Sequence, residues 1–224
     1  MGPTSTPAER VVLVTGEGDL AADVAASLLE RGARVALAGP DADAARLAPP
    51  PGPALLALPC ARDDLVGLGR AVDTVVERLG RLDHLVNLVA ARPRPGPLME
   101  LDPQALHDLL HGGLVTPLAC VQRAYRRWMA AHGGSVVNVA AATGRDGPQD
   151  AALAGLTELT EWLAAELAPR VDVHTLLPSP SLGPGAYRAG VPEVVCDLLT
   201  RRTNPEHGPV LVLSEEPACP SRAA

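Results

Sequence analysis

Gly16-Glu17-Gly18-Asp19-Leu20-Ala21 sets glycines and a small residue at G-x-G-x-x-A spacing, between a β-branched run and an Ala-rich stretch. Such a segment turns tightly from strand to helix and bares backbone N–H groups at the helix start, which is the chemistry that cradles a dinucleotide pyrophosphate. Gly16, Gly18 and Leu20 are therefore candidate cofactor-binding residues. Glu17 and Asp19 argue the other way, because two carboxylates beside a diphosphate oppose the attraction of the helix dipole. The reading adopted is that the glycines preserve the turn, with weak NAD(P) binding as the alternative.

The rest of the inventory is narrow. The chain has no lysine and two tyrosines, Tyr125 and Tyr187, so any mechanism that needs a lysine is excluded. Neither tyrosine is followed by a cation at Tyr-x-x-x-Lys spacing, since Met129 and Val191 stand there. Ser135 and Ser179 have no histidine at a nucleophile spacing, which argues against a hydrolase. His111 could join Arg145, Asp146 and Asp150 at one pocket and do acid/base chemistry without a cofactor, as a cyclase, dehydratase or isomerase would. The plainer reading puts His111 on the polar face of a helix and the aspartates at caps. Cys60, Cys120, Cys196 and Cys219 form no CxxC pair, so neither zinc nor a disulfide framework is expected.

These residues need a scaffold, and the hydrophobic pattern supplies one. Short β-branched or Leu-rich runs at 11–15, 34–38, 54–59, 84–89, 135–140, 171–176 and 209–213 alternate with amphipathic stretches at 19–31, 41–47, 63–79, 103–131, 150–168 and 191–201. That alternation predicts βαβ units and a parallel sheet. Pro-rich stretches at 49–53 and 92–97 read as loops. The expected organisation is one α/β domain over 11–214, with a disordered tail at 1–10 and another tail at 215–224. A net charge of −7 and 2% aromatic residues leave little to hold a phosphate backbone or stack on bases, so nucleic acid is not an expected partner. The apolar runs are too short for a membrane span, and residues 1–10 lack a secretory pattern, so a cytoplasmic location is expected.

Several segments, taken in order, resemble successive elements of the short-chain dehydrogenase/reductase family. They are Val11-Val-Leu-Val-Thr-Gly16 with Arg31-Gly-Ala-Arg-Val35, Leu82-Asp-His-Leu-Val-Asn87, and Gly134-Ser-Val-Val-Asn138. Gly155-Leu-Thr157 with Leu163-Ala-Ala-Glu-Leu-Ala-Pro169, and the run from Val171 to Pro178, continue the series. The resemblance implies a Rossmann-type doubly wound sheet of strand order 3-2-1-4-5-6-7. It also implies an NAD(P)-dependent oxidoreductase acting on a carbonyl or alcohol, with a Ser, a Tyr, a Lys and an Asn at its active site. Those four positions fall here on Ala141, Asp146, Asp150 and Gly113, and none can fill its role. The segment before Asp150 is also about eight residues shorter than the family pattern.

The family's cofactor contacts are thinned in the same way. Gly39-Pro40 stands where an acid or an Arg would meet the ribose, Ala61-Arg62 replaces the Asp-Val pair at the adenine, and Asn87-Leu-Val-Ala90 replaces Asn-Asn-Ala-Gly. Of the last motif only Asn87 is retained, as a fourth candidate cofactor residue or as part of a strand turn. The family assembles through helices that correspond to 103–131 and 150–168, which carry Trp128 and Trp162. Leu156, Leu159, Trp162, Leu163 and Leu167 recur at helical spacing there. A catalytically silent family member is therefore expected, acting as a homo-oligomer or as the partner of an active paralogue.

Overall fold

Val11, Val12, Leu13 and Val14 are all buried because successive side chains of a strand point to opposite faces, and here both faces are covered. Val12 and Val14 join one apolar cluster with Val35, Leu37, Val86, Val137 and Val139, while Val11 and Leu13 join another with Ala36, Ala38, Leu85 and Val136. The computed structural model describes residues 9–42, 54–89, 97–140, 147–179, 182–200 and 208–214.

The strands are β1 (Val11–Thr15), β2 (Arg34–Gly39), β3 (Leu55–Pro59), β4 (His84–Val89), β5 (Gly134–Ala140), β6 (Val171–Pro178) and β7 (Val210–Leu213). They form one parallel sheet in the order β3-β2-β1-β4-β5-β6-β7, the order expected from the sequence. Helices α1 (Gly18–Glu30) and α7 (Pro184–Thr200) cover the first face. The second is covered by α2 (Leu65–Leu79), α6 (Gly147–Leu167) and a continuous helical rod over 103–132. The rod comprises α3 (Pro103–Leu110), a π-helical segment His111–Val115, α4 (Thr116–Ala124), a second π-helical segment Tyr125–Met129 and α5 (Ala130–His132).

Three elements differ from the sequence reading. α7 begins at Pro184 rather than at 191, although Gly185, Gly190 and Pro192 lie within it. An interior proline costs roughly 3 kcal/mol in an isolated helix, and burial of Tyr187, Val191, Val195 and Leu199 against the sheet offsets that cost. α2 begins at Leu65, because the side chain of Asp64 rather than Asp63 caps it, accepting from the N–H groups of Val66 and Gly67. α6 begins at Gly147, one turn before the predicted start. The helix predicted at 41–47 lies mostly outside the described residues, and Asp41 itself sits in a turn.

The amino-terminal edge of the sheet is pinned by Asp83. Its carboxylate accepts from the Val11 N–H at 2.9 Å, from Arg10 at 3.1 Å and from Arg81 at 2.6 Å. Burial alone would raise this acid, but those bonds outweigh burial and hold it below the usual carboxylate range. Beside it, burial pushes the His84 imidazole down to about 4, and its Nδ1 has no hydrogen-bond partner.

Candidate functional site

In an open parallel sheet, ligands bind beyond the carboxyl ends of the strands where the order reverses, here between β1 and β4. The glycine turn lies there. Gly18 takes φ +72° at the first residue of α1, a conformation in which glycine is at ease, and the space beyond its Cα is open. Gly16 is different. A side chain on it would meet the Leu88 Cβ at 2.7 Å, and a side chain on Gly39 would meet the Gly16 carbonyl oxygen at 1.9 Å. The smallness of these two residues serves contact between β1, β2 and β4. Leu20, on α1, is half-buried and packs against the core.

The cleft at this edge is lined by Thr15, Gly16, Gly39, Arg62, Asn87 and Leu88, among others, and encloses about 30 Å³. Ligand pockets run to roughly 300–1,000 Å³, so the cleft is narrow as the described residues line it. Two features narrow the cleft. Leu88 leans on Gly16, and Arg62, from the β3–α2 connection, grips Glu17 with its Nε donating to the carboxylate at 3.1 Å and its terminal nitrogen in contact.

The carboxylates that the sequence reading set against a diphosphate are thus both paired. Glu17 is held by Arg62, and Asp19 by Arg188 of α7 at 2.7 Å, which also binds Asp23 at 2.6 Å. Neither pairing has a local signal, since 45 residues separate the first pair and 169 the second.

Asn87 is occupied by the sheet. Its Oδ1 accepts from Thr15 at 2.9 Å and its Nδ2 donates to Asn138 Oδ1 at 2.9 Å. Asn138 is in register with Thr175, whose hydroxyl is 2.6 Å from that of Thr160 on α6. One row of buried polar side chains therefore crosses β1, β4, β5 and β6 to reach α6. Polar residues at matching strand positions were the available sequence signal for it.

Of the four positions at which the family carries its active-site residues, Ala141 and Asp146 lie outside the described residues, as does Arg145. Gly113 is buried in the first π segment, where a side chain would come within 3.2 Å of the Ala152 Cβ on α6. Leu114 and Gly155 repeat this close approach, at 3.1 Å for an added Cβ. Asp150 is exposed on the first turn of α6. His111 stacks on His107 with ring centroids 6.2 Å apart.

The two tyrosines are structural. The Tyr187 hydroxyl donates to the Ala140 carbonyl at 2.7 Å, with the Leu176 carbonyl 3.2 Å away, and burial pushes its pKa up. It ties the ends of β5 and β6 together and is a poor proton donor. Tyr125 packs into the second core cluster. Ser135 is buried near the start of β5, as the sequence reading had it. Thr116 Oγ1, at the cleft, and both amide atoms of Gln149 are buried without a partner. Among the described residues no cluster of three metal-ligating side chains occurs, and no helix is long and apolar enough to cross a membrane.

The architecture and its glycine turn define a Rossmann-type nucleotide-binding class of fold. The sequence pattern of the short chain dehydrogenase family matches residues 10–184, and the chain belongs to that family. It is 30% identical over 112 residues to tropinone reductase-like 3 of Erythroxylum coca, a match covering 48% of this chain and 43% of that protein. It is 31% identical over 124 residues to the peroxisomal 2,4-dienoyl-CoA reductase of Danio rerio, covering 53% and 41%. The matches thus span under half the length of these curated relatives.

Among solved structures, a short chain dehydrogenase of Mycobacterium smegmatis superposes with a TM-score of 0.80 at 24% identity, covering 95% of each chain. A 3-ketoacyl-(acyl-carrier-protein) reductase of Brucella melitensis complexed with NADH gives a TM-score of 0.68 at 23% identity, covering 76% of this chain and 75% of that one. At such identities these two likenesses speak to the fold.

Proposed function

We propose that this chain is a family member without hydride transfer, which binds NAD(P) weakly or not at all and acts as a structural or regulatory partner in an oligomer. The observation that carries this reading is the closure of the cleft at the switch point by the chain's own Leu88 and its Glu17–Arg62 pair. The close seating of α6 on the rod supports it, since Ala152 stands against the position where a relay Asn would project. The oligomeric part rests on α6, whose Trp162 is 68% exposed, with its indole N–H donating to Glu158 at 3.1 Å. A large exposed aromatic is a favourable anchor at an interface.

The second reading is an NAD(P)-dependent oxidoreductase like the relatives, favoured by the open approach over Gly18 at the start of α1. Fluorescence titration with NADH and NADPH, followed by a carbonyl-substrate screen, separates the two. The proposal expects no turnover. Cofactor-dependent turnover in purified protein overturns its catalytic half. Light scattering coupled to size exclusion tests the other half: a dimer or larger species that Trp162→Glu dissociates supports it, and a monomer with no co-purifying partner refutes it.

A further inference from the structure

On the other side of Leu68 from the cleft, α2 and α4 leave a groove of about 380 Å³. Among the described residues, Arg70, Arg123 and Arg126 reach its walls against a single carboxylate, Asp73. That carboxylate is already taken up by Arg123, whose Nε donates to it at 3.0 Å, and by Arg127 at 3.5 Å. A chain of net charge −7 thus gathers an excess of positive charge in one concavity. Guanidinium forks match phosphate oxygens, and the Asp73 contact holds one of them in place before any ligand arrives. Leu68 and Cys120 form an apolar floor, while Leu65 and Val66 stand exposed at the rim.

Gly69 is the second and independent observation. A glycine inside a helix costs roughly 1 kcal/mol relative to alanine. Gly67 has a packing reason, since a side chain there would meet the capping Asp64 Oδ2 at 2.4 Å. Gly69 has none, because nothing lies within 4 Å of where its Cβ would be, and that empty space is the groove.

We propose that the α2–α4 groove is a binding site for a small oligophosphate, held by Arg70, Arg123 and Arg126, with Gly69 leaving the room it occupies. The groove is separate from the dinucleotide cleft, and the inference stands whether or not the chain turns over substrate.

The test is calorimetric titration of the full chain with inorganic tripolyphosphate and, in parallel, with adenosine triphosphate, at low salt. Both should bind at one site and weaken about tenfold or more in Arg126→Gln and in Gly69→Glu, while Gly69→Ala keeps most of the affinity. Tighter binding of adenosine triphosphate than of tripolyphosphate would assign the apolar rim to an organic group, and equal binding would assign the site to the phosphates alone. Absence of binding, or binding undiminished in Arg126→Gln, overturns the proposal. Circular dichroism confirms that each variant is folded, and if Gly69→Glu is not, Arg126→Gln decides.

Discussion

Leu68 lines two concavities of opposite build. The cleft beyond β1, β2 and β4 holds the residues that resemble a dinucleotide site, yet among the described residues it encloses about 30 Å³ and the cation lining it, Arg62, is bound to Glu17. The groove between α2 and α4 carries no family motif, yet it offers about 380 Å³ and three guanidinium groups, of which Arg123 is paired with Asp73. A motif reports that a turn is made, whereas binding needs space and charge that remain after folding. The two glycines that speak for each concavity show the same contrast: Gly39 is small because a backbone oxygen presses on it, and Gly69 is small with nothing near.

That contrast breaks most directly at Gly39. Gly39→Ala would drive a methyl to within 1.9 Å of the Gly16 carbonyl oxygen, a backbone atom that cannot swing aside. The expected loss is at least about 3 kcal/mol, or a fall in Tm of roughly 6–12 °C for a domain of this size. A Tm within 2 °C or so of the parent in a thermal melt would show that the cleft is looser than described.

The pH at which the concavities are compared matters almost as much. An unfolded imidazole takes its proton near 6.5, while the buried His84 takes it only at about 4. Between those values the unfolded chain binds more protons, so stability falls as pH drops through that window, by on the order of 3 kcal/mol. Urea denaturation at pH 7 and pH 4.5 measures the loss. His84→Leu should reduce the slope across that window, and an unchanged slope would place the sensitivity elsewhere. Ligand titrations of both concavities therefore belong above pH 7.

Whether the cleft is shut by bulk alone is tested by opening it. Leu88→Ala combined with Glu17→Gln removes the side chain on Gly16 and releases the grip on Arg62, at a cost of about 2 kcal/mol for a half-buried leucine. The double variant should bind NADH more tightly than the parent by fluorescence titration and still transfer no hydride. Equal affinity in parent and variant would mean that Leu88 and the ion pair do not gate the site.

The scaffold was legible in the sequence because each strand carries an apolar run and each crossover an amphipathic stretch, and β1 and β4 were bounded to the residue. The first part of α7, residues 184–190, lay outside the helix expected at 191–201; Gly185 and Gly190 there are poor helix formers, while the burial of Tyr187 that offsets them is a tertiary fact. The glycine turn and Asn87 were found as motif residues, but their use in contacts between strands was not visible, since Leu88, Thr15 and Asn138 meet them only once the sheet is assembled. The pairing of Glu17 with Arg62 and of Asp19 with Arg188 neutralises the electrostatic argument drawn from the acids alone. The groove had no sequence signature, because its arginines come from two helices brought together by the crossover.

The smallest expected effect is also the sharpest on the comparison. Gly69→Ala adds a methyl that meets no atom within 4 Å and replaces a flexible helix-interior residue by the best helix former. The unfolded chain loses conformational freedom and the folded chain gains no clash, so stability should rise by about 0.5–1 kcal/mol. For a domain of this size that is a rise in Tm of roughly 1–4 °C. The sign matters more than the size: the same glycine-to-alanine change must lower Tm at position 39 and raise it at position 69. A fall at both would show that Gly69 is pressed by a neighbour after all, and the room attributed to the groove would then be filled by the protein itself.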